Sequence, residues 1–571
     1  VTSERTTESP SRTPFSGAAA RPRPQRSGNG ALARWAERRA PLLLDLLTLV
    51  RQGVVRPMRP DKLLRIALAY RRWGIAIPLG YAIGAIRHPD RPAVIDERGA
   101  LSFAEVEQRT TRLANGLRGH GVESGSRVAI LCRNHHGFVE ALLAASKLGA
   151  DAVLLNTGMS AEQLSAVLAE QRVASVISDA EFAEDLTLPE GVELLVSWTE
   201  GTTSRPTLEQ LIGRSPATPL PKRPRHGRMI VLTSGTTGTP KGARRPDPPS
   251  LSPATTIMSR VPLRSGERML VCAPMFHTWG LAAFQLGTVI GATLVLRRGF
   301  DPQQTLAALQ RHRCGAMFAV PVMLQRILEL PEEQRHNYDH RALRIVACSG
   351  SALSGTLATE FQRVFGPVLY NFYGSTEASW VSIADPRDLR DAPGTAGRPP
   401  RGTTLRILDE DGSPVPTGET GGVHVGNDML FEGYTNGKEV RRRDGLMPTG
   451  DLGRLDRQGR LFIVGRADDM IVSGGENVYP KETEDVIAAF EEVREVAVTG
   501  VEDAKHGQRL AAFVVPHEGY ELDEDTVRDR VREKLSAFAR PRDVVFLDEL
   551  PRNATGKVVP NRLPQRPPSS S

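Results

Sequence analysis

Thr233-Ser-Gly-Thr-Thr-Gly-Thr-Pro-Lys-Gly242 follows directly on an apolar run, Met229–Leu232, that reads as a buried strand. Gly235, Gly238 and Gly242 let the backbone turn its N–H groups toward an anion. The hydroxyls of Thr233, Ser234, Thr236 and Thr237 add donors, and Lys241 adds a compact positive charge. In physical terms this is a phosphate cradle at the end of a strand. It is not the P-loop G-x-x-x-x-G-K-[ST], because Pro240 occupies the position before the lysine where that motif requires Gly. A cradle at a strand's carboxyl end belongs to a parallel sheet, and the flanking sequence supplies one. Arg127–Cys132, Ala152–Leu155, Val173–Ile177, Met269–Ala273, Thr293–Leu296, Ala316–Ala319, Leu343–Cys348 and Val368–Tyr373 are apolar runs separated by helical patterns. Repeated units of this kind imply parallel sheets covered by helices on both faces. Ser102-Phe-Ala-Glu105 reads as a capping box that starts one such helix.

After about residue 395 the texture changes to short strands and Gly/Pro/Asp turns, which suggests a small β-barrel-like unit. From about Asp468 onward, helical patterns at Pro480–Phe490 and Asp523–Leu535 alternate with strands near Val496–Val501 and Ala511–Val515. That is enough chain for a separate small domain. The expected organisation is a disordered arm over 1–30, two basic amphipathic helices within 31–75, a large α/β domain over 76–467 with doubly wound parallel sheets, a mobile α+β domain over 468–560 and a disordered tail over 561–571.

The 571 residues are 40% hydrophobic and 24% charged, which excludes wholesale disorder and a polytopic membrane protein. The formal charge of +7 is uneven, since residues 1–75 hold 15 Lys/Arg against 5 Asp/Glu and the remainder is slightly acidic. The body is therefore not a nucleic-acid binder. Cys132, Cys272, Cys314 and Cys348 are widely spaced in apolar stretches and form no metal-type pair. The expected location is the cytoplasm, with the 31–75 helices either capping the body or touching an anionic inner membrane surface.

Further loops carry chemistry-bearing residues. In Asn371-Phe-Tyr-Gly-Ser-Thr-Glu-Ala378, Tyr373 ends a strand where its ring can stack on a purine and Thr376 can donate to a phosphate. Glu377 is an acceptor suited to Mg²⁺, which takes one or two carboxylates plus phosphate oxygens. Asp451, in Thr449-Gly-Asp451, can accept two hydrogen bonds from a ribose diol, with Arg466 as its cationic neighbour. Taken singly, Glu377 reads equally well as a surface carboxylate, Thr-Gly-Asp as a turn and Lys557 as a solvated lysine.

The ordered series changes those readings. Thr233–Gly242, Asn371–Ala378, Thr449–Asp451, Gly465-Arg466 with Asp468-Asp469, and Pro551-Arg-Asn-Ala-Thr-Gly-Lys557 together resemble the motifs of the AMP-forming adenylating enzymes, over roughly residues 80–560. That superfamily comprises acyl-CoA synthetases, adenylation domains and luciferases. The resemblance implies ATP bound by Thr233, Ser234, Gly235, Thr236, Thr237, Gly238 and Lys241. It adds Gly350, Ser351 and Ala352 beside adenine, then Asn371, Phe372, Tyr373, Gly374 and Ser375, with Asp451 and Arg466 at the ribose. It implies catalysis by Lys557, Thr376, Glu377 and His277, Mg²⁺ on Glu377 and a hinge at Asp468. Asn371 departs from the Gln of many relatives, and Ala243–Pro249 is unusually rich in Pro and Arg.

The substrates are read from two further stretches. Amino-acid-activating relatives usually place an aspartate in the neighbourhood of Ala273–Gly280, yet Pro274–Leu281 contains no carboxylate. A substrate ammonium would be left unpaired there at a cost of several kcal/mol, so the acid is expected to be apolar. Met275, Trp279, Val320 and Phe372 are expected to line its pocket, with His277 as an aromatic gate. The expected acid is a medium- or long-chain fatty acid, with an aryl acid as the alternative. Ser473, Gly474 and Gly475 resemble the stretch that serves the thioester step, so coenzyme A is the expected acceptor and carrier-protein loading the rival. A non-catalytic ATP or acyl sensor on the same fold is the reading from a different class.

Overall fold

The structure is a computed structural model that describes residues 41–184, 186–220, 226–233, 241–246, 248, 250–435, 437, 440–473, 476–503, 507–535 and 537–564. Val1–Leu44 and Asp45–Ser571 form two units. In the first only residues 41–44 are described, and they are helical. The arm expected over 1–30, the first part of the helix expected from residue 31 and most of the tail lie outside the described residues. All that follows concerns the second unit.

Two sheets face each other across a layer of helices. The larger has eight strands in the order Ser382–Ala384, Leu369–Tyr373, Ile345–Cys348, Ala316–Ala319, Arg268–Val271, Thr293–Leu296, Pro92–Asp96 and Gly99–Ser102. Its interior pairings are parallel, and the outermost strand on each side is antiparallel. The second sheet runs Glu193–Val196, Ser175–Ser178, Arg127–Leu131, Asp151–Leu154, Met229–Thr233 and Lys241–Arg244, parallel but for the last pair.

Period-two alternation sorts each strand between two cores. In Thr293–Leu296, Leu294 and Leu296 enter the core shared by both sheets, whereas Val295 enters the one behind. In Asp151–Leu154, Leu154 faces the shared core and Val153 the far side of its own sheet. The helices His136–Leu148 and Thr278–Ile290 fill the shared layer, the first buried along its whole length. The capping box expected at Ser102 forms in both directions, Glu105 N–H to Ser102 Oγ at 3.2 Å and Ser102 N–H to Glu105 Oε2 at 2.7 Å.

The Gly/Pro-rich stretch forms a four-stranded antiparallel sheet, Thr404–Leu408, Gly421–Gly426, Met447–Leu455 and Leu461–Arg466, over its own apolar core. Beyond it lies a small β/α part. Val493–Asp503 pairs antiparallel with Gly507–Pro516, which also pairs parallel with Asp543–Phe546. Helices Pro480–Ile487 and Glu524–Lys534 accompany this sheet, and its core includes Ile487, Val527 and Val531. The molecule is thus mixed α/β, with parallel sheets in a large N-terminal part and a small C-terminal β/α part.

The four cysteines are free. Cys132 nevertheless lies in a buried cluster with His135 and Asp179, whose ring and carboxylate meet at 2.8 Å. Burial, then the Asp179 charge, pushes the Cys132 thiol pKa well up. The arrangement is a polar contact just past the carboxyl ends of Arg127–Leu131 and Ser175–Ser178, and none of its three residues lines the cleft described next.

Candidate functional site

The carboxyl ends of the large sheet open on a cleft of about 2770 Å³ that extends to the C-terminal part. Strand Leu369–Tyr373 delivers Tyr373 to its edge. The Tyr373 hydroxyl donates to an Asp451 carboxylate oxygen and lies 3.2 Å from Thr449 Oγ1. Burial, then the Asp451 charge, pushes the Tyr373 pKa well up, so the phenol keeps its proton and remains a donor. Asp451 itself sits opposite Arg466 in the Met447–Leu455/Leu461–Arg466 pairing, 3.6 Å from guanidinium to carboxylate. Arg466 in turn holds Asp468 through two hydrogen bonds, of 2.8 and 3.1 Å.

Past Tyr373 the chain turns sharply. A Cβ on Gly374 would stand 2.2 Å from the Ser379 carbonyl oxygen, so this turn has room only for glycine. The turn brings Thr376 Oγ1 to 2.9 Å from Thr278 Oγ1, at the start of helix Thr278–Ile290. Glu377 accepts a hydrogen bond from the Tyr434 hydroxyl at 2.8 Å while still lining the cleft. One cleft-facing carboxylate beside a threonine hydroxyl fits what Mg²⁺ asks of a protein when phosphates supply the other ligands. Gly350, Ser351, Ala352, Asn371, Phe372 and Ser375 also line the cleft. Ser349 Oγ donates to the Phe372 carbonyl at 2.8 Å and ties these two strand ends together.

His277 caps helix Thr278–Ile290, its Nδ1 accepting from the Trp279 N–H at 3.5 Å. Burial, then the Lys557 charge, lowers its pKa to about 4, so the ring is neutral at pH 7 and carries its proton on Nε2. Lys557 therefore lies within electrostatic reach of His277. It also faces Asp451, Arg466 and Glu377: desolvation lowers its pKa first, Asp451 and Glu377 raise it, and Arg466 lowers it. Its loop is built by Asn553, whose Oδ1 accepts from the N–H groups of Thr555 and Lys557, each at 3.0 Å, and from Thr555 Oγ1 at 2.7 Å. Gly556, at φ 82°, lets the loop settle on the large body, since a Cβ there would stand 2.9 Å from Val322 Cγ1.

Trp279 and Phe372 line the cleft with ring centroids 4.7 Å apart, and the Trp279 indole N–H donates to the Ala319 carbonyl at 3.0 Å. Two expected pocket residues do not face this space. Met275 is fully buried in the shared core, its N–H held at 2.8 Å by Asn134 Oδ1. Val320 is 3% exposed and lies beneath Gly350 and Gly556, filling the seam between the two loops. Both belong to apolar runs whose inward and cleftward faces are alike in sequence. Ser234, Gly235, Thr236, Thr237, Gly238, Gly474 and Gly475 lie outside the described residues. For Thr233, Lys241 and Ser473 only the backbone is described, at the strand ends that flank the cradle and in Ile471–Ser473.

The sequence reading missed Arg245. Strand Lys241–Arg244 returns from the cradle and places the Arg245 guanidinium, 8% exposed, under the Tyr-Gly loop. It donates to Ser379 Oγ at 3.0 Å and to the Thr376 carbonyl at 3.4 Å. Burial lowers its pKa to about 10, against the Glu377 charge, so it stays cationic at pH 7. The signal was the Arg/Pro-rich exit of the cradle. Charged hydrogen bonds of this kind contribute about 1.5–3 kcal/mol. If the cleft forms the adenylate that the resemblance implies, Arg245→Met is expected to lower its formation about ten- to a hundredfold and to raise the Mg²⁺ concentration for half-maximal rate. Arg245→Lys should recover little, because a lysine lacks the fork that spans both acceptors. Pyrophosphate exchange across a Mg²⁺ titration measures both; an unchanged Mg²⁺ dependence would reduce Arg245 to a packing role.

Comparison with known proteins gives the family of both parts of the chain. The AMP-binding enzyme family profile matches residues 84–435, and the AMP-binding enzyme C-terminal domain profile matches residues 482–557. Feruloyl-CoA synthase of an Amycolatopsis species is 33% identical over 484 residues, 84% of this chain and 96% of that protein. Indoleacetate–CoA ligase of Aromatoleum aromaticum is 32% identical over 493 residues, 83% and 93% of the two chains. Among solved structures, the o-succinylbenzoate CoA synthetase of Bacillus subtilis in complex with its acyl-adenylate superposes with a TM-score of 0.74 at 28% identity, covering 86% of this chain and 98% of that one.

Proposed function

This chain belongs to the AMP-binding enzyme family, and we propose on that premise how its cleft divides the work and which acids it takes. It is an AMP-forming CoA ligase that uses ATP, Mg²⁺ and coenzyme A and proceeds through an acyl-adenylate. The observation that carries the division of roles is the convergence of Lys557, Glu377, Asp451 and His277 from four separate segments on one cleft. Asp451 and Arg466 hold the ribose, and the Tyr373 ring offers its face to the purine. Thr376 and Lys557 hold the α-phosphate as the carboxylate oxygen attacks it and pyrophosphate leaves. Glu377 holds Mg²⁺, which when bound spreads the charge of the phosphates. Neutral His277, with its proton on Nε2, can donate to the acid without adding a competing cation. In the second step the CoA sulfur attacks the acyl carbon and AMP leaves.

The acid carries no ammonium group, because the cleft at Phe276–Ala282 presents Phe276, His277, Thr278, Trp279 and Ala282 and no acidic side chain. The names of the relatives, feruloyl-CoA synthase and indoleacetate–CoA ligase, support an aryl acid. A fatty acid is the second reading, and one observation favours it. Trp279, Ala282, Gln285, Leu286 and Val289 line the cleft along one face of their helix, a path of about 15 Å at 1.5 Å per residue. That is longer than a single aryl ring needs. A panel of benzoates, cinnamates and straight-chain acids, assayed for ATP-dependent thioester formation, decides between them. The aryl reading predicts the highest kcat/KM among the cinnamates. A steady rise with alkyl chain length would replace it with the fatty-acid reading, and no turnover of any apolar acid would sink both.

A further inference from the structure

Between Asp45 and Pro92 the chain adds helices to the body that begin before the family match at residue 84. Their inner faces are anchored. Asp45 is buried and accepts from Ser252 Oγ, from Thr255 Oγ1 at 2.6 Å and from Arg401. Arg87 donates to the Val54 carbonyl and Arg72 to the Leu220 carbonyl, each at 2.8 Å, while Leu49 and Trp73 enter the shared core. A helix that only caps a body turns a polar face to water. These do the opposite. Leu46, Leu47, Val50, Val55, Leu63, Leu64, Leu68 and Tyr70 are 43–64% exposed, and among the described residues after Asp45 only Tyr520 and Phe538 join them as exposed large hydrophobics.

The same outer surface is basic. Arg51, Arg56, Arg59, Arg65 and Arg71 are exposed around those side chains, with Asp61 as the acidic residue among them. Leucines ringed by arginines suit a surface with an apolar interior and anionic headgroups. A polar-rimmed protein partner would leave most of these arginines without counter-charges. The cleft reaches the same place. Leu63 and Ile66 of helix Pro60–Trp73 line it together with Ile77 and Val289, at the far end of the apolar path from Trp279.

We propose that this face docks on an anionic bilayer, so that acids dissolved in the lipid enter the cleft beside helix Pro60–Trp73 without crossing bulk water. This rests on the acid being apolar and is indifferent to whether it is aryl or alkyl. Docking and substrate choice are tested separately, because flotation needs no acid.

The full-length protein is expected to float with phosphatidylglycerol–phosphatidylcholine vesicles, and about tenfold less with phosphatidylcholine alone. The triple variant Leu47→Asn, Leu64→Asn, Leu68→Asn should lose flotation about tenfold or more, with an unchanged Tm and unchanged kcat/KM for a water-soluble acid from the panel. For an acid supplied in vesicles, its KM should rise while kcat holds. Arg51→Gln with Arg65→Gln and Arg71→Gln should remove the preference for the anionic vesicles. A parent protein that does not float overturns the proposal, as does a triple variant that floats equally well. A parent that is dimeric while the triple variant is monomeric overturns it too, by assigning the face to a second copy of the chain.

Discussion

Lys557→Ala is expected to slow acyl-adenylate formation about a hundred- to a thousandfold, the usual consequence of removing one positioned group from developing charge. Conversion of supplied acyl-adenylate and CoA to thioester should be nearly unchanged. The asymmetry follows from placement. The Asn553–Lys557 loop is seated against Val322 with the ammonium among Asp451, Glu377 and Arg466, where an α-phosphate would sit. The hairpin strand Ile471–Ser473, which the thioester step is read to use, lies on a different loop of the same small part. Pyrophosphate release reports the first half-reaction, and chromatography of the CoA thioester the second. Equal losses in both would mean that Lys557 serves the fold of the cleft rather than one chemical step.

Glu377→Gln should lower adenylate formation by about a hundredfold and shift the Mg²⁺ titration to higher concentration. The amide keeps the shape of the side chain and an oxygen for the Tyr434 hydroxyl, so the Tm should hold. What it removes is a negative charge placed near two cations, Arg245 and Lys557. A variant whose Mg²⁺ dependence matches the parent's would show that Glu377 acts through Tyr434 alone and holds no metal.

Much of the large part was legible because continuous apolar runs bounded by turn residues have few alternatives. Thr293–Leu296 and Ala316–Ala319 form with the bounds read from their residues, and helix Pro60–Trp73 lies within the 31–75 stretch read as basic amphipathic helices. The antiparallel edges were not read. Gly99–Ser102 and Lys241–Arg244 are four residues each, polar or small but for Leu101, too short to announce themselves, and each pairs along the edge of a neighbouring strand. The individual site residues were legible only as a series. The partnership of Asp451 with the Tyr373 hydroxyl spans 78 positions, and no local pattern announces it. Arg245 was hidden for the opposite reason, since an arginine among prolines looks like surface until the fold closes over it. Met275 and Val320 show where pattern reading stops: an apolar residue next to a cleft can point either way, and burial decides only after the backbone is placed.

The bond from the Trp279 indole to the Ala319 carbonyl makes that ring a fixed partition rather than a swinging door. A protein that sorted acids by moving a gate could change its diet by loosening a hinge. If Trp279 bounds the acyl slot as proposed, one wall of it is a side chain pinned at its tip and packed against Phe318 and Phe372. On that reading, a change at this wall proceeds by replacing the partition itself, in discrete jumps of volume. Each replacement that lacks an N–H leaves the Ala319 carbonyl with only the longer bond from the Ser349 N–H, at 3.4 Å, so a change of acid at this wall also loosens the end of strand Ala316–Ala319.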